Sequence, residues 1–68
     1  MNSINDIIDL IARRDNISIL EATNIVDECI DDIRYVVSRG DYMAAEDILA
    51  SYLTLEPDYL EIIINEMY

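Results

Sequence analysis

SILEATNIVDECIDDIRYVVSRG, residues 18–40, decides the fold. Ser18 and Glu21 have the S-x-x-E spacing of a capping box, and Ile17 just before them suits a hydrophobic staple. Ala22, Val26, Cys29, Ile33 and Val36 then recur at intervals of 4, 3, 4 and 3. Those intervals place them on one side of an α-helix. Ile25, Ile30 and Val37 widen the seam. Gly40 follows Arg39 where a helix ends in a left-handed residue. The stretch therefore predicts a helix from about 19 to 39. A helix with one long apolar side must bury it, and nothing else in the chain alternates like a strand.

Upstream, Ser3 with Asp6 is a capping-box-like pair. Ile4, Ile7, Ile8 and Ile11 follow the i, i+3, i+4, i+7 stripe. Arg13 and Arg14 suit the negative end of the helix dipole, and Asp15-Asn16 reads as the stop. Downstream, Asp41 caps a third helix whose buried stripe reads Tyr42, Ala45, Ile48, Leu49, Tyr52 and Leu53. Thr54-Leu55-Glu56 is a short link. Pro57 begins a fourth helix, Asp58 and Glu61 load its first turn, and Leu60, Ile63, Ile64 and Met67 point inward. The pattern predicts one all-α domain over residues 1–68, a compact four-helix fold with helices at about 4–14, 19–39, 42–54 and 57–67.

Composition narrows the function. The chain has 68 residues and 15 acids against 4 basic residues, all arginine, for a formal charge of −11 with no histidine. Such a surface repels nucleic-acid phosphate and anionic lipid. The usual general bases, Schiff-base nucleophiles and imidazole metal ligands are missing. The acids around Asp27–Asp32 lack the alternating ligands and the glycine of a calcium loop. The composition thus points to a binding protein rather than an enzyme, with no cofactor, no metal and a basic protein surface as partner. It predicts no direct contact with nucleic acid or membrane. The single Cys29 permits no internal disulfide and reads as a buried, inert thiol. With no signal-peptide pattern at the N-terminus, a cytoplasmic location is expected.

Residues 39–57 resemble the second half of a tetratricopeptide repeat: Gly40, Tyr42, Ala45 and Pro57 match in spacing. Upstream, Cys29, Asp32, Ile33 and Val36 stand where that family has its Trp, Leu-Gly and Tyr positions, and Tyr52 replaces a small residue. The resemblance implies shared helix-turn-helix packing, not membership. The whole chain also resembles small acidic helical proteins of phages and mobile elements of low-GC Gram-positive bacteria. The resemblance rests on IARRDNIS at residues 11–18, GDY at 40–42 and EPDYL at 56–60. It implies a binding role directed at a host or defence protein, in which DNA mimicry is one mode.

Two faces are candidates for contact. On the outer arc of the second helix lie Glu21, Asn24, Asp27, Glu28, Asp31, Asp32 and Tyr35. Asp27/Asp31 and Glu28/Asp32 are like-charge i, i+4 pairs that cost stability, and Arg34 is the local counter-charge. This arc reads either as a solvated face or as a partner site carried by Asp27, Glu28, Asp31, Asp32 and Tyr35. Glu21 to Asp32 places five acids along about 18 Å of helix, close to the spacing of phosphates on one DNA strand. The fourth helix carries apolar residues beyond one core face. Tyr59, Ile62 and Tyr68 are the candidates there for self-association, and a homodimer is expected.

Overall fold

The computed structural model describes residues 3–67, with side chains to residue 66. Four helices run in order: α1 (Ile4–Asp15), α2 (Ile19–Ser38), α3 (Tyr42–Leu53) and α4 (Asp58–Met67). No strand occurs among the described residues. The all-α, four-helix architecture expected from the sequence is the one observed.

Local chemistry sets each boundary. Ser3 Oγ accepts the Asp6 N–H while the Asp6 carboxylate accepts the Ser3 N–H, completing the capping box of α1. Ser18 Oγ accepts the Glu21 N–H, which is the first half of the box expected at α2. Asp41 caps α3 through the Ala44 N–H. At the end of α2, the Asp41 N–H reaches the Val36 carbonyl and the Gly40 N–H reaches Val37. With Gly40 at φ 78°, this is a Schellman closure, so α2 stops at Ser38 with Arg39 as its cap. Asn16 ends α1 in the left-handed region at φ 56°, which asparagine tolerates better than most residues. Thr54 ends α3 at φ 54°, and there the residue is β-branched. Pro57 lies in the turn just before α4.

One core joins all four helices. Ile7, Ile11, Val26, Cys29, Ile33, Leu49, Leu53 and Ile63 are essentially closed to solvent. α2 packs most extensively on α3 and next on α1, while α4 rests more lightly on α1 and α3. The radius of gyration, 11.2 Å, is close to the ~11 Å expected of a folded chain this long. The accessible surface, 4570 Å², is close to the ~4,400 Å² expected of an ordinary monomer. The chain therefore closes its own core as well as a typical domain of its size.

Several expectations about the core are corrected. Tyr42 and Tyr52 were placed in the buried stripe of α3, but they are 53% and 48% exposed. Ala45, Leu49 and Leu53 fill the inner side of that helix, and tyrosines at its margins keep their hydroxyls in water or on a partner. Ile25 was expected to widen the α2 seam, yet it stands at the edge of the helix with a third of its surface open. Leu55, expected in a mere link, is buried and pins the α3–α4 connection to the core. Tyr59 and Ile62 are half-buried and pack against the core rather than standing clear of it. Tyr68 lies outside the described residues, as does the side chain of Met67.

One contact ties the ends of the chain together. Glu66 Oε1 accepts the Ile4 N–H at 3.2 Å. An acid in the last turn of α4 opposes that helix's own dipole, but here it meets the positive end of α1.

Candidate functional site

The outer side of α2 is built by the same periodicity that builds its inner side. Ala22, Val26, Cys29 and Ile33 face the core. Leu20, Asn24, Asp27, Asp31 and Tyr35, displaced by two positions, recur at intervals of 4, 3, 4 and 4 and line the opposite side. All five are exposed, as are Glu21, Glu28 and Asp32 beside them. The structure thus brings all five expected partner-site residues, Asp27, Glu28, Asp31, Asp32 and Tyr35, onto one accessible face. Leu20 and Tyr35 close that line at its two ends, about 22 Å apart at 1.5 Å per residue. Leu20 is 72% exposed and Tyr35 62% exposed.

The arginines do little to neutralise this face. Arg13 pairs with Asp9 at 2.9 Å, and Arg14 pairs with Asp15 at 2.9 Å, both on α1. The hydrogen bond from Arg14 holds the Asp15 carboxyl below its usual range. Arg34, expected to offset Asp31, makes no salt bridge among the described residues; three positions along a helix set the two side chains close, but both are exposed, where such a pair gains little. Arg39 turns to Tyr35 instead. Its Nη1 donates to the Tyr35 hydroxyl at 2.9 Å, and its guanidinium carbon lies 5.6 Å from the ring centroid. That contact steadies the aromatic ring at the C-terminal end of the face.

Asp32 differs from its neighbours. Its Oδ2 accepts the Tyr52 hydroxyl at 2.7 Å, a bond reaching from α3 to α2. The bond and the negative charge of Asp32 raise the Tyr52 pKa above its ordinary value of 10.0, with a smaller push from Glu28. The acidic face therefore continues past α2 to the exposed ring of Tyr52. Asp27, Glu28 and Asp31 carry no such internal bond among the described residues.

Cys29 sits beneath this face, fully buried as expected. Burial, aided by the charge of Asp32, lifts its thiol from 9.0 to about 11, so it is held protonated at neutral pH. Among the described residues, no group of three carboxylate or thiol side chains converges as a cation site. No helix there is long and apolar enough to cross a membrane.

Sequence reasoning missed two contributors to the face. Leu20 was legible, because it starts the 4, 3, 4, 4 line that ends in Tyr35. Tyr52 was not, because its approach to Asp32 spans 20 residues and depends on how α3 lies against α2.

A second feature lies on α4. Asp58, Tyr59, Glu61, Ile62 and Asn65 line an open depression of about 380 Å³.

Geometry and charge together define an all-helical domain that presents one acidic, aromatic-edged helix face. Comparison with protein-family models, curated proteins and solved structures found no match.

Proposed function

We propose that this protein is a small acidic inhibitor or adaptor that acts by binding, not by catalysis. Its partner on this reading is a basic protein surface, and the contact is the outer face of α2. The observation that carries the reading is the run of exposed carboxylates Asp27, Glu28 and Asp31, which no arginine neutralises among the described residues. Such a run lowers the stability of its own helix through like-charge i, i+4 repulsion, while it attracts a cationic surface over a Debye length. Tyr35 supplies a steadied aromatic anchor within it.

The density of charge along α2, one acid per roughly 3.6 Å, is close to that of phosphates on a DNA strand. We therefore infer that the basic surface is the nucleic-acid site of a host or defence protein. A phage or mobile-element origin and action in the cytoplasm accord with that inference. Affinity capture from the source cell, or from its host, at low and then high salt tests it. Capture that falls steeply with salt supports the acidic face, and capture indifferent to salt refutes it.

A second reading rests on the α4 depression, which Tyr59 and Ile62, both only partly buried, help to line. On that reading the protein is a self-associating structural module, a homodimer through α4, and its charge serves solubility. Ile62→Glu would then leave only monomer in sedimentation. The self-contained core ranks this reading second, because the monomer needs no partner to close it.

A further inference from the structure

We propose that α4 is an exchangeable segment, which can leave its seat on α1 and α3 and occupy the same seat on a second copy of the chain. The inference stands apart from the reading of the acidic face.

Three junctions join the four helices. Each passes through a left-handed residue: Asn16 at φ 56°, Gly40 at φ 78° and Thr54 at φ 54°. Asparagine and glycine suit that conformation. Threonine does not, because its Cβ and both branches crowd the neighbouring carbonyl. Backbone strain is thus concentrated at the one junction that leads to α4. The connection there is short, and Pro57 stiffens its far end. A strained short hinge favours exchange, because the strain is released when the hinge opens.

The seat itself selects the occupant. α4 inserts Leu60 and Ile63 into the common core and rests chiefly on α1 and α3. Glu66 adds one directed bond to the Ile4 N–H. An apolar pair, spaced three residues apart, and a carboxylate three residues further on must all fit at once. The segment that carries this pattern is α4 of the same sequence. In an exchanged dimer every one of these contacts is remade between chains, and the hinge at Thr54 is relaxed in both.

The test anneals the wild-type chain at several hundred micromolar through its melting transition, then separates monomer from dimer by size. The expected dimer keeps its helicity and, once diluted, reverts slowly, because reversion requires Leu60 and Ile63 to leave the core. Thr54→Gly, or Thr54→Asn should the glycine variant fold poorly, lowers the dimer-to-monomer ratio severalfold, to about thirtyfold at most, since two strained hinges no longer favour opening. Ile62→Glu leaves the annealed dimer in place, whereas it abolishes a dimer made by surface contact. A chain that stays monomeric after annealing overturns the proposal. So does a dimer that re-equilibrates at once on dilution, or one whose yield is unchanged in the Thr54 variants.

Discussion

The Tyr52 hydroxyl donates to Asp32 Oδ2 across 2.7 Å, joining α3 to α2 at the margin of the acidic face. The bond divides the five acids of α2 into one that is engaged by the fold and others that are free to meet a partner. It predicts an order of effects. Asp31→Asn should weaken partner capture more than Asp32→Asn, because Asp32 already spends an oxygen on Tyr52. Asp32→Asn should in turn move one tyrosine back towards its ordinary pKa of 10.0 in an ultraviolet pH titration. An unchanged tyrosine titration in that variant would contradict the bond.

Alkaline stability follows from the same region. Tyr52 and Cys29 both have folded-state pKa values raised above their ordinary ones. Each is held protonated by the fold, so its contribution is full below the ordinary value and is lost as pH rises through the folded one. For Cys29 that window runs from 9.0 to about 11, and full ionisation costs about 3 kcal/mol. Urea denaturation at stepped pH should show stability falling across that window. In Cys29→Ala the slope should flatten, although a smaller residue in a full core lowers stability at every pH.

The two glycine-like turns should respond in opposite directions. A Cβ on Gly40 would meet nothing within 4 Å, so Gly40→Ala is opposed by its φ of 78° alone. It should cost about 1 kcal/mol. Thr54→Gly removes strain of the same kind and should stabilise the monomer by up to about 1 kcal/mol. Chemical denaturation of both variants at micromolar concentration measures the pair.

The bond from Ile4 to Glu66 gives the chain ends a shared stability. Glu66→Ala should lower stability by about 0.5–1 kcal/mol and speed hydrogen exchange in the first turn of α1 as well as in α4. Glu66→Gln should cost less, because the amide oxygen still accepts the bond while the charge on the α1 dipole is lost. Faster exchange in α4 alone would mean that the two helices do not support one another there.

The fold was legible because its signals are local. Capping residues lie three positions from the groups they cap, and the 4, 3, 4, 3 spacing of Ala22 to Val36 fixes which side of α2 is buried. What escaped is set by distance along the chain. A helical wheel assigns Tyr42, Tyr52 and Ile25 an angle, but it does not say how far a neighbouring helix extends to cover that angle. Leu55 was hidden because a buried residue in a connection has no period to betray it. The expected site residues of α2 did come out exposed on one face, since opposite sides of an amphipathic helix are read together. The link from Asp32 to Tyr52 and that from Ile4 to Glu66 both required the tertiary arrangement.

The central claim is that the carboxylates of α2 bind a basic partner, and Asp27→Lys with Asp31→Lys tests it most directly. Both residues are exposed, and reversing them removes no core contact. The double variant should keep its helicity and melt at or above the wild-type temperature. Positions 27 and 31 still repel one another, now as lysines, and the lysine at 31 faces Arg34. The compensating gains are the new pair of Glu28 with the lysine at 31, at a few tenths of a kcal/mol, and a net charge reduced from −11 by four units. The decisive measurement is the affinity, at low salt, for the protein that the wild type captures from the source cell or its host. Loss of capture by a variant that is folded and equally stable is the predicted result; capture at wild-type affinity would contradict the account and leave α2 with a solvated face.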